Sequence, residues 1–406
     1  MKVIKKTVKL DNVGYDIRGP LVEEAARMIA DGKQIISLNT GNPATFGLFA
    51  PAFVEETMKA NIHKSEGYSD SRGINDAIDA IIGYSVSKGI YGLDHNDVYT
   101  GNGVSELINI TLQALLDNGD EILIPTPDYP LWTSIATLCG GKVVHYLCDE
   151  TNEWLPDVDD IKRKVSPRTK AIVIINPNNP TGALYPKENL LEILEVARQN
   201  GLIVFSDEIY DRLVMDGHKH IAAASLASDL FVITFNGLSK SHMVAGFRCG
   251  WITLSGDKSC VKDYIEGIHM LASMRLCANV PSQSIISAAL ADPFSARPLL
   301  EPGGRIYEQR ECIYSSITKI PGISSVKPKA AFYLFPKIDT EMYGIENDEQ
   351  FVLDFLHEHH VLMTHGRGFN WPHPDHFRIV YLPEVKELMT ISGKMEQFLA
   401  GYSQKS

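Results

Sequence analysis

Between residues 98 and 254 the chain alternates two hydrophobic patterns. Short apolar runs at 98–100, 121–124, 142–147, 171–175, 202–205, 231–235 and 249–254 have the character of strands buried on both faces. Amphipathic segments lie between them. One follows Gly101-Asn102-Gly103-Val104-Ser105 and carries Leu107, Ile108, Thr111, Leu112 and Leu115 on one side. Others cover 131–138, 157–164 and 187–199, the last stopped by Asn200-Gly201, a good C-cap. Repeated units of this kind predict an α/β fold, a mainly parallel sheet with helices on both faces. Upstream, Pro20 opens a helix to Ala30, 35–38 is a short strand, and 51–62 and 74–88 read as helices.

The pattern changes near Pro293. Shorter strand candidates at 331–335, 361–364 and 377–381 are flanked by helices, which reads as a smaller α+β domain. The early strand at 35–38 fits no βαβ register and is expected to join it. The expected division is therefore 1–50 (N-terminal arm and part of the small domain), 51–291 (large domain) and 292–406 (small domain). The first 19 residues show no periodicity and read as an extended arm.

Composition narrows the function classes. A net charge of −12 argues against nucleic acid as a partner. The six cysteines have no CxxC spacing, which suggests neither zinc nor a disulfide framework. The basic N-terminus lacks the apolar core of a signal peptide, and no apolar run approaches membrane-spanning length, so a cytoplasmic protein without a membrane partner is expected.

Parallel sheets bind ligands at the carboxyl ends of their strands, and four such ends carry chemistry here. After 98–100, Gly103, Val104 and Ser105 offer free backbone N–H groups at a helix N-terminus, suited to phosphate. After 171–175 comes Asn176-Pro177-Asn178-Asn179-Pro180-Thr181-Gly182; a turn explains the prolines, but the amide of Asn179 is free to donate to a ring hydroxyl. After 202–205 comes Ser206-Asp207-Glu208-Ile209-Tyr210, whose carboxylate can face a cationic nitrogen or merely cap a helix. After 231–235 comes Lys240, then a flexible Ser/His/Gly segment and Arg248. A lone lysine is ordinarily solvated. A lysine held at the exit of a buried strand can form a Schiff base. A phosphate nest, an amide, a carboxylate with a phenol, and an amine together match pyridoxal 5′-phosphate, with Arg248 as a bidentate cation for its phosphate.

The blocks NPNNPTG (176–182), SDEIY (206–210) and LSKSHMVAGFRCGW (238–251) closely resemble class I aminotransferases of PLP fold type I. NTGNP (39–43), GYSDSRG (67–73), PDYPLW (127–132) and FRIVYLP (377–383) match family motifs in the same order. The resemblance implies a seven-stranded, mainly parallel large-domain sheet and a homodimer with shared active sites. It implies Lys240 as Schiff-base lysine and proton carrier, Asp207 on the pyridine nitrogen, and Asn179 and Tyr210 on the ring oxygen. It further implies Tyr129 stacked on the ring, Val104, Ser105, Ser239 and Arg248 on the phosphate, Tyr68 reaching in from the other subunit, and Arg378 on the substrate carboxylate beside Gly41. Gly237 departs from the pattern, since many relatives carry Ser there.

Tyr15-Asp16-Ile17-Arg18-Gly19-Pro20 and FRIVYLP resemble the alanine aminotransferase branch. This implies a glutamate–pyruvate transaminase working by a ping-pong mechanism on amino and 2-oxo acids. Aromatic, aspartate or branched-chain transaminases and PLP β-lyases are the alternatives, since they share the catalytic residues. A regulatory protein would need a fused DNA-binding segment. Tyr15 and Arg18 are expected near the substrate, Arg18 as a mobile cation that swings in for glutamate and stays in water for alanine.

Overall fold

A computed structural model describes residues 3–11, 13–15, 19–292 and 296–404. β1 (Ile36–Ser37) pairs in parallel with a strand at Val361–Leu362, so the early strand joins the C-terminal elements as expected. The large sheet is built from β2 (Val98–Asn102), β3 (Glu121–Thr126), β4 (Lys142–Asp149), β5 (Leu155–Pro156), β6 (Thr169–Ile175), β7 (Ile203–Asp207), β8 (Val232–Gly237) and β9 (Cys249–Ser255). Their order is β2-β9-β8-β7-β6-β3-β4-β5. Seven of these are the expected strands. The eighth, β5, is a two-residue antiparallel edge on β4 that was too short to show as a run. β8, β7, β6, β3 and β4 are parallel, and β9 runs antiparallel between β2 and β8.

The alternation along β6 shows why its run is wholly apolar. Ala171, Val173 and Ile175 face a core shared with Leu107, Trp132 and Ile268, from helices Val104–Leu115, Leu131–Leu138 and Lys262–Met274. Ile172 and Ile174 face the other core, with Leu190, Ile193 and Leu194 of helix Lys187–Asn200. Each valine, isoleucine and leucine so buried contributes about 1.5–3 kcal/mol. That helix ends at Gly201 with φ 62°, the left-handed conformation a C-cap requires.

A third core surrounds helices Arg305–Ile317, Asp348–His359 and Val385–Leu399. The 361–364 run is not one strand. Val361–Leu362 pairs with β1, and Thr364–His365 pairs antiparallel with Phe377–Val380, so the chain changes sheets at Met363. Phe377–Val380 also pairs with Tyr333–Leu334. The segment after Lys240, expected to be flexible, is tied down. Ser241 and His242 are buried, and a ring nitrogen of His242 lies 3.0 Å from the Ala289 carbonyl oxygen.

Candidate active site

The carboxyl ends of β2, β6, β7 and β8 open into one cavity of about 770 Å³. Lys240 lies in a helical turn, Leu238–Ser241, directly after β8, and its amine reaches the cavity. Nζ donates to the Gly41 carbonyl at 2.7 Å and sits 5.6 Å from the centre of the Phe332 ring. Burial, with the Arg378 and Arg248 charges, pulls its pKa down to about 8, so much of it is a neutral amine near that pH.

Asp207 ends β7. Its Oδ2 accepts from the Trp132 indole at 3.1 Å and its Oδ1 from the Ile209 amide at 3.3 Å. Burial pushes its carboxyl up to about 6, because both donors are neutral. Trp132 is itself held between Phe205, stacked at 5.8 Å, and Phe235, edge-on at 5.0 Å.

Gly103 caps helix Val104–Leu115 with φ 81°, and a Cβ there would lie 2.3 Å from a terminal nitrogen of Arg248. The guanidinium therefore packs on the glycine, beside the free amides of Val104 and Ser105. Gly250 keeps the same region open, since a Cβ there would meet the Val104 nitrogen at 2.7 Å. Arg248 takes a left-handed φ of 55°, which turns its side chain back from the start of β9, and it donates to the Ala245 carbonyl at 2.9 Å. Ser239, from the turn that carries Lys240, lines the same end. At Gly237 a Cβ would stand 2.5 Å from the Cys249 carbonyl oxygen, so this backbone admits no serine.

Arg378 also lines the cavity and is 1% exposed. One terminal nitrogen donates to Asn179 Oδ1 at 2.9 Å and the other to the Asn39 carbonyl. Its guanidinium lies 4.6 Å from the Tyr333 ring centre and 4.5 Å from that of Phe369. Among the described residues its Nε has no partner. Burial lowers its pKa from the usual arginine value. Tyr210 and Tyr333 have hydroxyls 2.6 Å apart, and Tyr15 and Tyr129 have theirs 2.9 Å apart.

Thus Tyr15, Gly41, Val104, Ser105, Tyr129, Asn179, Asp207, Tyr210, Ser239, Lys240, Arg248 and Arg378 share one cavity, with Gly103 packed on Arg248. Tyr68 does not join them. It is 81% exposed on the loop before helix Asn75–Ser87. Arg18 lies outside the described residues. Trp132, Phe332 and Tyr333 went unread in the sequence. Trp132 stood in the PDYPLW motif without a role, and the two aromatics looked like ordinary strand residues.

The model of "Aminotransferase class I and II" matches residues 33–390. The chain belongs to that family. Among the proteins this aminotransferase is similar to is "Glutamate-pyruvate aminotransferase AlaA" of Haemophilus influenzae, 55% identical over 404 residues and 100% of both chains. "Alanine aminotransferase" of Mycobacterium tuberculosis is 49% identical, over 99% of this chain and 94% of that one. The crystal structure of an Escherichia coli aminotransferase, 53% identical, superposes with a TM-score of 0.98 over 99% of this chain and 100% of that one.

Aminotransferases of this class are pyridoxal-phosphate enzymes, as is this one. The donor set fits the cofactor. The cavity offers a buried amine of depressed pKa, a helix N-terminus cleared by two glycines beside a guanidinium, and a buried carboxylate that meets only neutral donors. Among the described residues no cluster of side chains could hold a metal ion, and no helix is long and apolar enough to cross a membrane.

Proposed function

We propose that this enzyme exchanges an amino group between L-alanine and 2-oxoglutarate, giving pyruvate and L-glutamate, in two half-reactions of a ping-pong course. The observation that carries the reading is full-length likeness to relatives named for glutamate, pyruvate and alanine, at 55% and 49% identity. A cavity lined by both a buried amine and a buried guanidinium accords with it.

In this reading Arg378 grips the substrate α-carboxylate with its guanidinium, and Gly41 lines the carboxylate's other side. That places the substrate Cα between Arg378 and Lys240. Bound pyridoxal phosphate supplies the electron sink for charge left at Cα when its proton departs. Lys240 Nζ takes the Cα proton and returns one on the far side of the exchange, a task suited to an amine with a pKa of about 8. Asp207 keeps a proton on the ring nitrogen. Asn179 and Tyr210 would serve the ring oxygen, Tyr129 would lie against the ring, and Gly103, Val104, Ser105, Ser239 and Arg248 would hold the phosphate. Tyr15, hydrogen-bonded to Tyr129, excludes water from that side.

We further propose a homodimer in which Tyr68 of the partner subunit completes the phosphate site; an 81% exposed tyrosine on a polar loop is available for that. The proposed division keeps 51–291 as the large domain, with 1–50 and 292–406 apart from it, which the β1 pairing supports. Six free cysteines accord with a cytoplasmic home.

The test is a half-reaction screen. Purified holoenzyme is mixed with each amino acid in turn and loss of the visible cofactor band is followed. L-Alanine and L-glutamate should convert it fastest. Conversion by aromatic amino acids or aspartate, with neither of these two, would overturn the specificity. Lys240→Ala, supplied with cofactor, should lose several orders of magnitude in turnover; robust turnover would overturn the chemistry.

A further inference from the structure

We propose that Tyr333 is a positioning residue for the reaction: its hydroxyl donates to the Tyr210 oxygen and thereby commits the Tyr210 proton to the cavity. The inference rests on the reading above, in which Tyr210 serves the ring oxygen of the cofactor.

The geometry begins with the two phenols. Their oxygens are 2.6 Å apart, and both side chains are buried. One proton fits between two such oxygens, and each phenol brings one. If Tyr210 donated to Tyr333, only lone pairs of Tyr210 would face the cavity, and a ring oxygen carrying negative charge would gain no donor. If Tyr333 donates, the Tyr210 proton is free to point inward. The choice of donor therefore decides whether Tyr210 can work at all.

Three surroundings fix that choice. The Arg378 guanidinium lies 4.6 Å from the centre of the Tyr333 ring, and a cation over a phenol makes its O–H the better donor. Burial pushes the Tyr210 phenol well above its ordinary value and its contact with Tyr333 raises it further, while the Arg378 charge lowers it by less than either. Burial raises Tyr333 as well, but the Arg378 charge and the Tyr210 contact hold it back. The rings meet edge-on, with centroids 5.6 Å apart and planes at 84°, so neither is free to swing away. The Gly41 backbone closes the far side, for a Cβ on Gly41 would come 2.3 Å from the Tyr333 oxygen. Tyr333 thus touches a group assigned to the cofactor and one assigned to the substrate, Tyr210 through its hydroxyl and Arg378 through its ring face.

The two contacts are separable, because Tyr333→Phe removes the hydroxyl and keeps the ring on Arg378. The experiment compares holoenzymes of the parent, Tyr333→Phe, Tyr210→Phe and the double variant. The first readout is the pH midpoint of the visible band of the Lys240–cofactor linkage without substrate. A donor to the ring oxygen favours the deprotonated linkage, so weakening it raises the midpoint. Tyr333→Phe should raise it by about 0.5–1 pH unit, the size of one neutral hydrogen bond. It should lower kcat by roughly 3–10-fold while KM for L-alanine and L-glutamate stays within about twofold. In the Tyr210→Phe background the second substitution should move the midpoint no further. Cooperative thermal melting of each apoenzyme controls for folding.

Three results would overturn the proposal. An unchanged midpoint in Tyr333→Phe, with Tyr210→Phe shifted, removes the relay and leaves the role of Tyr210 standing. Equal shifts from Tyr333→Phe in both backgrounds show that Tyr333 acts without Tyr210. An unchanged midpoint in Tyr210→Phe removes the role of Tyr210 itself, and the relay with it.

Discussion

The side-chain nitrogen of Lys240 donates to the backbone carbonyl of Gly41 at 2.7 Å, a contact between residues 199 apart in sequence. The amine at the end of β8 is thus anchored to the segment that follows β1. Gly41 can serve as that anchor only because it has no side chain. A Cβ would lie 2.3 Å from the Tyr333 oxygen and 2.5 Å from Phe332 Cε2.

Gly41→Ala should therefore destabilise the protein by about 1–3 kcal/mol, the usual cost of overpacking a buried site. It should also raise KM for alanine and glutamate alike, because the displaced backbone is the one proposed to flank the substrate carboxylate. Thermal melting and steady-state kinetics check the two effects. An unchanged melting temperature would mean that Tyr333 moves aside freely.

Asp207→Asn should have opposite effects on the apoenzyme and on the reaction. The carboxyl is raised to about 6 by burial, above its unfolded value near 3.9. A raised acid contributes stability below the unfolded pKa and loses it as pH rises through the folded one. At pH 7–8 the buried charge therefore costs the apoenzyme up to about 3 kcal/mol. The amide removes that charge but cannot accept from both Trp132 and Ile209, a loss of about 1 kcal/mol. The variant apoenzyme should be more stable than the parent by about 1–2 kcal/mol at pH 8 and no more stable at pH 4. Turnover should fall steeply if Asp207 has the proposed role, since a neutral amide does not keep a ring nitrogen protonated. Denaturation of both apoenzymes across this pH range checks the sign.

Arg378→Lys should keep a positive charge and lose the fork. The ammonium cannot reach Asn179, the Asn39 carbonyl and a carboxylate in the arginine's plane. KM for every substrate should rise by roughly 10–100-fold, about 1.5–3 kcal/mol, with alanine and glutamate affected equally because both present an α-carboxylate. A selective effect on glutamate would place Arg378 at the distal carboxylate instead.

The legibility of this site follows from where its parts lie on the sheet. Lys240, Asp207 and Asn179 follow buried parallel strands, and the rule that ligands bind at carboxyl ends finds such residues from sequence alone. Arg378 was harder, because an arginine in an alternating strand normally faces water; here its strand is covered on both faces. Tyr333 gave no local signal. Its importance comes from the pairing of Tyr333–Leu334 with Phe377–Val380 and from a hydroxyl contact across 123 residues, neither of which periodicity encodes. The sharp turn at Arg248 depends on a left-handed φ that its residue type does not announce. The glycine at 237, a departure from the family pattern, is explained by the carbonyl of Cys249 crossing close above it.

The antiparallel seat of β9 also has a consequence for how the protein is born. β2 lies at the sheet edge, and β9 is its sole strand partner among the described residues, with Asn102 opposite Cys249. At about 5–20 residues per second, the ribosome makes β2 roughly 7–30 s before it makes the strand that completes it. During that time the edge of β2 has no ladder to join, and the helix N-terminus at Gly103 has no Arg248 to pack against it. The packing of Arg248 on Gly103 is therefore among the last parts of the large sheet to form, and a chain interrupted before Cys249 has most of the parallel core but leaves β2 with no strand beside it.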